Sequence, residues 1–220
     1  MNKNTKFLTL FSLAGYFIIQ LVTKSLGPPF SIIRSFFVQK FFNFSVNIDL
    51  AAARSSTINT VFYIVIVWFF LFTIKRIRDN GNANALKMLL SVVLTLIIFL
   101  VIDLAINYTA SLTIKSGAST VHDIFINSFL MLSSLFYMVS LVAIANEGYI
   151  SLGAIKRLFQ TQTFNISFLF ALILRTIPQV MAYLIKEITQ NQYYIGIGVP
   201  LLIAFAFMIL IKPILNKTEY

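Results

Sequence analysis

The run LKMLLSVVLTLIIFLVIDLAINY, residues 86–108, decides the fold. It carries two charges, Lys87 at its start and Asp103 towards its end. Coiled as an α-helix at ~1.5 Å per residue it reaches ~35 Å, enough to cross ~30 Å of hydrocarbon. It has no polar stripe to turn towards water, and a helix apolar all round belongs in lipid or in a protein interior.

Working outward, four further runs have similar character: Thr57–Ile74, Ile124–Ala145, Phe164–Ile185 and Tyr194–Ile211. A shorter one, Phe7–Val22, precedes them. It has the flavour of a signal peptide, but Lys24 follows it and no small-x-small cleavage site closes it, so it reads as an uncleaved first helix. The breaks carry turn chemistry: Gly27-Pro28-Pro29, Asn80-Gly81-Asn82, Ser116-Gly117 and Gln190-Asn191-Gln192. The expected fold is an all-α, polytopic transmembrane helix bundle of six spans, forming a single domain over residues 1–220.

Composition agrees. Of 220 residues 59% are apolar and 11% charged, against ~25% charged in a soluble domain. The net charge of +10 could suggest nucleic acid, but the basic residues lie mostly between apolar runs. That pattern reads as topology signal and contact with anionic lipid headgroups, with no nucleic-acid partner. Cysteine is absent and His122 is the one histidine. Disulfides, thiolate chemistry and histidine-rich metal sites are thereby excluded, and no cofactor or metal is expected. No HExxH, readable Ser/His/Asp set or Asp-rich phosphate–metal motif is present, so the reading leans away from an enzyme.

Residues 30–46 are ambiguous. On a helical wheel Phe30, Ile33, Phe36, Phe37, Phe41 and Phe44 share a broad face, with Ser31, Ser35, Gln39 and Asn43 mostly opposite. Phe42 falls among the polar residues, and Lys40 intrudes on the apolar side but could snorkel. A Phe-rich amphipathic helix at the lipid surface accounts for most of this. The alternative is a seventh span containing Arg34 and Lys40.

Orientation follows the positive-inside rule. Lys and Arg divide ten to six between the two sides for six spans, and nine to five for seven. In both arrangements the richer side holds Lys75, Arg76, Arg78, Lys87, Lys156, Arg157 and Lys212. The expected location is a cell membrane with a cytoplasmic C-terminus, and the richness in Phe, Ile, Asn and Lys suggests a bacterial source.

Three intramembrane residues are candidates for chemistry. Asp103 and Arg175 each place a charge where it costs from ~2.5 kcal/mol upward, so each should face protein or water. From the basic side Asp103 lies ~24 Å up and Arg175 ~16 Å up, a gap of ~8 Å. An Asp103–Arg175 ion pair is therefore expected, although Arg175 should tilt away from Asp103, towards its helix N-terminus. Pro178 follows Arg175 by three residues and removes a backbone hydrogen bond. Such a kink can be mere packing or can line a substrate path. Gly196-x-Gly198-x-Pro200 reads as a site of close helix packing.

The basic loops carry the partner expectations. Lys75, Arg76, Arg78, Lys156 and Arg157 are candidates for contact with a partner or lipid. Glu147 could pair with Lys156 or Arg157, Gly148 fits a helix stop, and Ser151–Gln160 has the pattern of a short amphipathic helix. The loop Lys75-Arg76-Ile77-Arg78-Asp79-Asn80-Gly81 between the second and third of six spans resembles that of the compact permease subunits of ABC transporters. Together with the six spans, the resemblance covers roughly a dozen residues and implies that this loop contacts an ATPase. Two functions are expected: a small transporter or permease-type subunit with a path near Asp103, Arg175 and Pro178, or a non-transporting scaffold binding other membrane subunits or anionic lipid.

Overall fold

The computed structural model describes residues 3–26, 50–79, 81–114 and 119–216. The segment 30–46 lies outside the described residues, and with it the surface-helix and seventh-span readings.

The described chain is helical and antiparallel in succession. Helices α1 (Lys3–Leu26), α2 (Leu50–Arg78), α3 (Ala85–Ile114) and α4 (Ser119–Glu147) come first. A short α5 (Leu152–Phe159) leads into α6 (Gln162–Leu184), then α7 (Lys186–Gln190). A π-helical turn, Tyr194–Gly198, runs directly into α8 (Val199–Leu215). Six segments are long and apolar enough to cross a membrane: Asn4–Thr23, Thr57–Arg78, Ala85–Ile106, Ile126–Glu147, Gln162–Leu184 and Tyr194–Leu215. These are the six expected spans; two begin at the expected residues, Thr57 and Tyr194, and the other ends shift by a few residues.

In lipid each peptide group must find its partner within the helix. Several small polar residues of the spans obey the same constraint. Thr9, Ser12, Thr23, Ser91, Thr95 and Ser140 each donate their hydroxyl to the carbonyl four residues back, at 2.7–2.9 Å. A hydroxyl satisfied in this way adds little cost to an apolar helix.

The bundle is built around α4, two-thirds of whose span is buried. It packs against α2, α3, α5, α6 and α8. On one side α3 closes the bundle, and on the other α6 and α1 flank α8. Small residues permit the close approach there: Ala171 of α6 and Ala204 and Ala206 of α8 are fully buried. Between α1, α2 and α8 the packing is aromatic. Tyr16 stacks on Phe207 with ring centroids 4.0 Å apart, and Phe70 lies 6.2 Å from the same ring.

Gly196 and Gly198 do not mediate the expected close packing. A Cβ at Gly196 would meet nothing, and one at Gly198 would meet Tyr194 of the same turn. Pro200 lacks an N–H to donate to Gly196, and the wider π turn accompanies this gap, with the Val199 N–H reaching back to Tyr194. The close approach is instead at Gly15, where a Cβ would lie 2.3 Å from the Phe70 ring.

Candidate functional site

Arg175 lies within α6, 13 residues from its first residue and 9 from its last, or ~20 Å and ~14 Å along the axis. A guanidinium at that depth needs polar partners. It donates to Ser134 Oγ on α4, from Nε at 3.1 Å and from Nη2 at 2.9 Å. Ser134 in turn donates to the Met131 carbonyl at 2.8 Å. Further along the same pair of helices, Gln179 Nε2 donates to the Asn127 carbonyl at 2.6 Å. The positions on α4 are seven residues apart and those on α6 four, so both contacts fall on facing stripes. A polar seam thus joins α4 and α6 in the middle of apolar surroundings.

The expected Asp103–Arg175 pair does not form. Asp103 is on α3, and α4 stands between α3 and α6. Asp103 is engaged elsewhere in the structure, while Arg175 turns to the hydroxyl that α4 presents. No carboxylate among the described residues pairs with Arg175. Among the described residues its electrostatic neighbour is Tyr16 on α1. Pro178 lies inside α6, one turn beyond Arg175.

Tyr16 belongs to a buried tyrosine cluster. It is 1% exposed, with Gln20 facing its hydroxyl. Tyr63 of α2 and Tyr137 of α4 share a hydrogen bond between hydroxyls, 3.0 Å apart. Helices α1, α2 and α4 therefore each bring a tyrosine into the core, and the half-buried Arg175 of α6 stands beside it. Sequence reasoning passed over these tyrosines. A usable signal was present: tyrosine in a membrane protein favours the interface, and all three lie inside apolar runs.

A second polar centre caps the basic end of α4. The last carbonyls of a helix lack intrahelical partners and carry the negative end of its dipole. Lys75 Nζ donates to the Asn146 carbonyl at 2.6 Å, and Arg78 reaches the same carbonyl at 2.5 Å and the Asn146 side-chain oxygen at 3.1 Å. Asp79 links both cations, at 2.5 Å from Lys75 Nζ and 2.8 Å from Arg78 Nε. Desolvation raises the Asp79 pKa, but hydrogen bonds and charge from Arg78 and Lys75 outweigh it and hold the carboxyl below its usual value. Gly148 then turns the chain at φ +79°, the left-handed stop expected for it.

The basic residues therefore divide. Lys75, 8% exposed, and Arg78 cap α4 from within, while Arg76 and Lys156 are exposed. Arg157 Nε pairs with Glu147 at 3.0 Å, one of the two alternatives expected, and its Nη2 donates to the Tyr149 hydroxyl at 3.2 Å. Helix α5 forms as expected over Leu152–Phe159, capped by Ser151, whose hydroxyl accepts from the Ala154 N–H at 3.0 Å. It turns Ala154 and Leu158 into the bundle and leaves Leu152 84% exposed.

Among the described residues no group of His, Asp or Glu is arranged to hold a metal. Comparison with protein families, curated proteins and solved structures finds no match.

Proposed function

We propose that this integral membrane protein is a small transporter or permease-type subunit, with Arg175 recognising an anionic group of what crosses. The observation that supports the reading is the charge balance at Arg175. A guanidinium has five N–H donors; among the described residues its one acceptor atom is Ser134 Oγ, and no carboxylate pairs with it. A cation held in this way in mid-span is suited to an anion. Pro178 adds local give to α6, because it cannot donate to the Leu174 carbonyl. In this proposal the basic end, with Lys75 to Arg78, Lys156 and Arg157, faces the cytoplasm of a bacterial cell, and exposed Arg76 is available to an ATPase partner.

The test is equilibrium binding of radiolabelled inorganic phosphate and of acetate to the purified protein in nanodiscs. Wild type should bind at least one of them, and Arg175→Gln should lose that binding. Equal retention of both anions by wild type, Arg175→Gln and protein-free nanodiscs would defeat the proposal.

A second reading, a non-transporting scaffold for other membrane proteins, is favoured by α6. Only 6% of its span is buried, and its mean hydropathy of 1.5 is among the lowest of the six. A face so open could take another subunit's helix. Copurification from mild detergent separates the two: an ATPase supports the permease, and stoichiometric integral membrane proteins without one support the scaffold.

A further inference from the structure

An apolar cavity of about 200 Å³ lies between α3, α4 and the start of α5, apart from the Arg175 centre. Leu94, Ile98, Phe136, Ser140, Ile150 and Ile155 are among its walls. Leu94, Ile98 and Phe136 are also 48%, 41% and 43% exposed on the outer surface of the bundle. The mouth of the cavity therefore faces hydrocarbon rather than the bundle axis.

The rim towards the basic end is cationic. Lys87, Ser91, Leu94 and Ile98 recur at spacings of four, three and four, so they share one face of α3. Lys87 stands ~10 Å along the axis from Leu94. The Ser91 hydroxyl accepts the Ile150 N–H at 3.2 Å, which ties this face of α3 to the cavity wall. Lys87 Nζ sits 4.0 Å above the Tyr149 ring, and Arg157 holds the Tyr149 hydroxyl from the other helix. Lys87, Lys156 and Arg157 are all exposed. Among the described residues, the carboxylate paired with this group is Glu147, on Arg157. An apolar slot open to lipid, under a rim with cations in excess, matches an amphiphile with a negative head.

We propose that this is a binding site for one anionic phospholipid, with an acyl chain in the cavity and the phosphate at the Lys87–Arg157 rim. Both halves of the ligand are required by the chemistry. The slot supplies apolar contact without discriminating headgroups, and the rim supplies the preference for negative charge. The site is separate from Arg175 and stands whether or not the protein transports anything.

The test is native mass spectrometry of the full chain in mild detergent, titrated with phosphatidylglycerol or with phosphatidylcholine of the same acyl chains. Wild type should retain one phosphatidylglycerol more tightly than phosphatidylcholine. Losing two surface cations in Lys87→Gln/Arg157→Gln should weaken phosphatidylglycerol about thirty-fold and leave phosphatidylcholine nearly unchanged. Lys87→Gln alone, at an exposed helix position, should weaken it about fivefold and serves if the double variant fails to fold. Leu94→Trp, at the mouth, should weaken both lipids. Equal affinity of wild type for the two lipids, an undiminished preference in Lys87→Gln, or unchanged binding in Leu94→Trp would each overturn the assignment.

Discussion

Removing Ser134 should harm the protein more than removing Arg175, the charged residue it serves. Ser134 Oγ is the acceptor for both guanidinium hydrogen bonds. A hydrogen bond to a charged group contributes ~1.5–3 kcal/mol, and stranding a buried charged donor costs at least ~1–3 kcal/mol. Ser134→Ala should therefore destabilise by about 1–3 kcal/mol. Arg175→Met removes the donor together with its burial cost of ~2.5–3.5 kcal/mol. The lost hydrogen bond and the relieved burial cost nearly offset, so this variant should stay within ~1 kcal/mol of wild type or exceed it. In the Arg175→Met background Ser134→Ala should then be almost neutral. The coupling energy should therefore equal the Ser134→Ala loss, about 1–3 kcal/mol, high for a polar pair in a membrane bundle because one partner is charged. Reversible unfolding in mixed micelles of mild detergent and dodecyl sulfate measures all four species. A Ser134→Ala variant that is neutral beside native Arg175, or equally harmful in the Arg175→Met background, would refute the reasoning.

Three further outcomes are expected. Gly15→Ala would press a methyl onto the buried Phe70 ring, itself held by Phe11 and Phe207, and should destabilise by about 1–3 kcal/mol in the same assay; Phe70→Leu should recover part of the loss. The Asp79 carboxyl is held below its usual pKa, so its contribution is complete above the unfolded value near 3.8 and is lost as pH falls through the lower folded value. The stability difference between wild type and Asp79→Asn should accordingly shrink on acidification through that range. The chain has no cysteine, so Arg76→Cys and Gln160→Cys report cleanly on topology. Both should react with an impermeant thiol reagent from one and the same side, which the positive-inside rule puts in the cytoplasm.

Residues 86–108 pointed to lipid as the solvent, because they offer no polar stripe to turn towards water. The same reasoning delimited the other five spans, the glycine stop at Gly148 and the amphipathic α5, since each depends on neighbours within a few residues. Depth along a span was legible too: Arg175 and Asp103 stood out by position alone. Which helix faces which was not. Two residues at similar depth can pair only if their helices are adjacent, and α4 lies between α3 and α6. That arrangement sends Arg175 to Ser134. It also turns Lys75 and Arg78 inward onto the α4 carbonyls and gathers Tyr16, Tyr63 and Tyr137 in the core. Local chemistry decides that a segment is helical and apolar all round. Such a helix carries little rotational preference in its sequence, so tertiary packing alone chooses its neighbours.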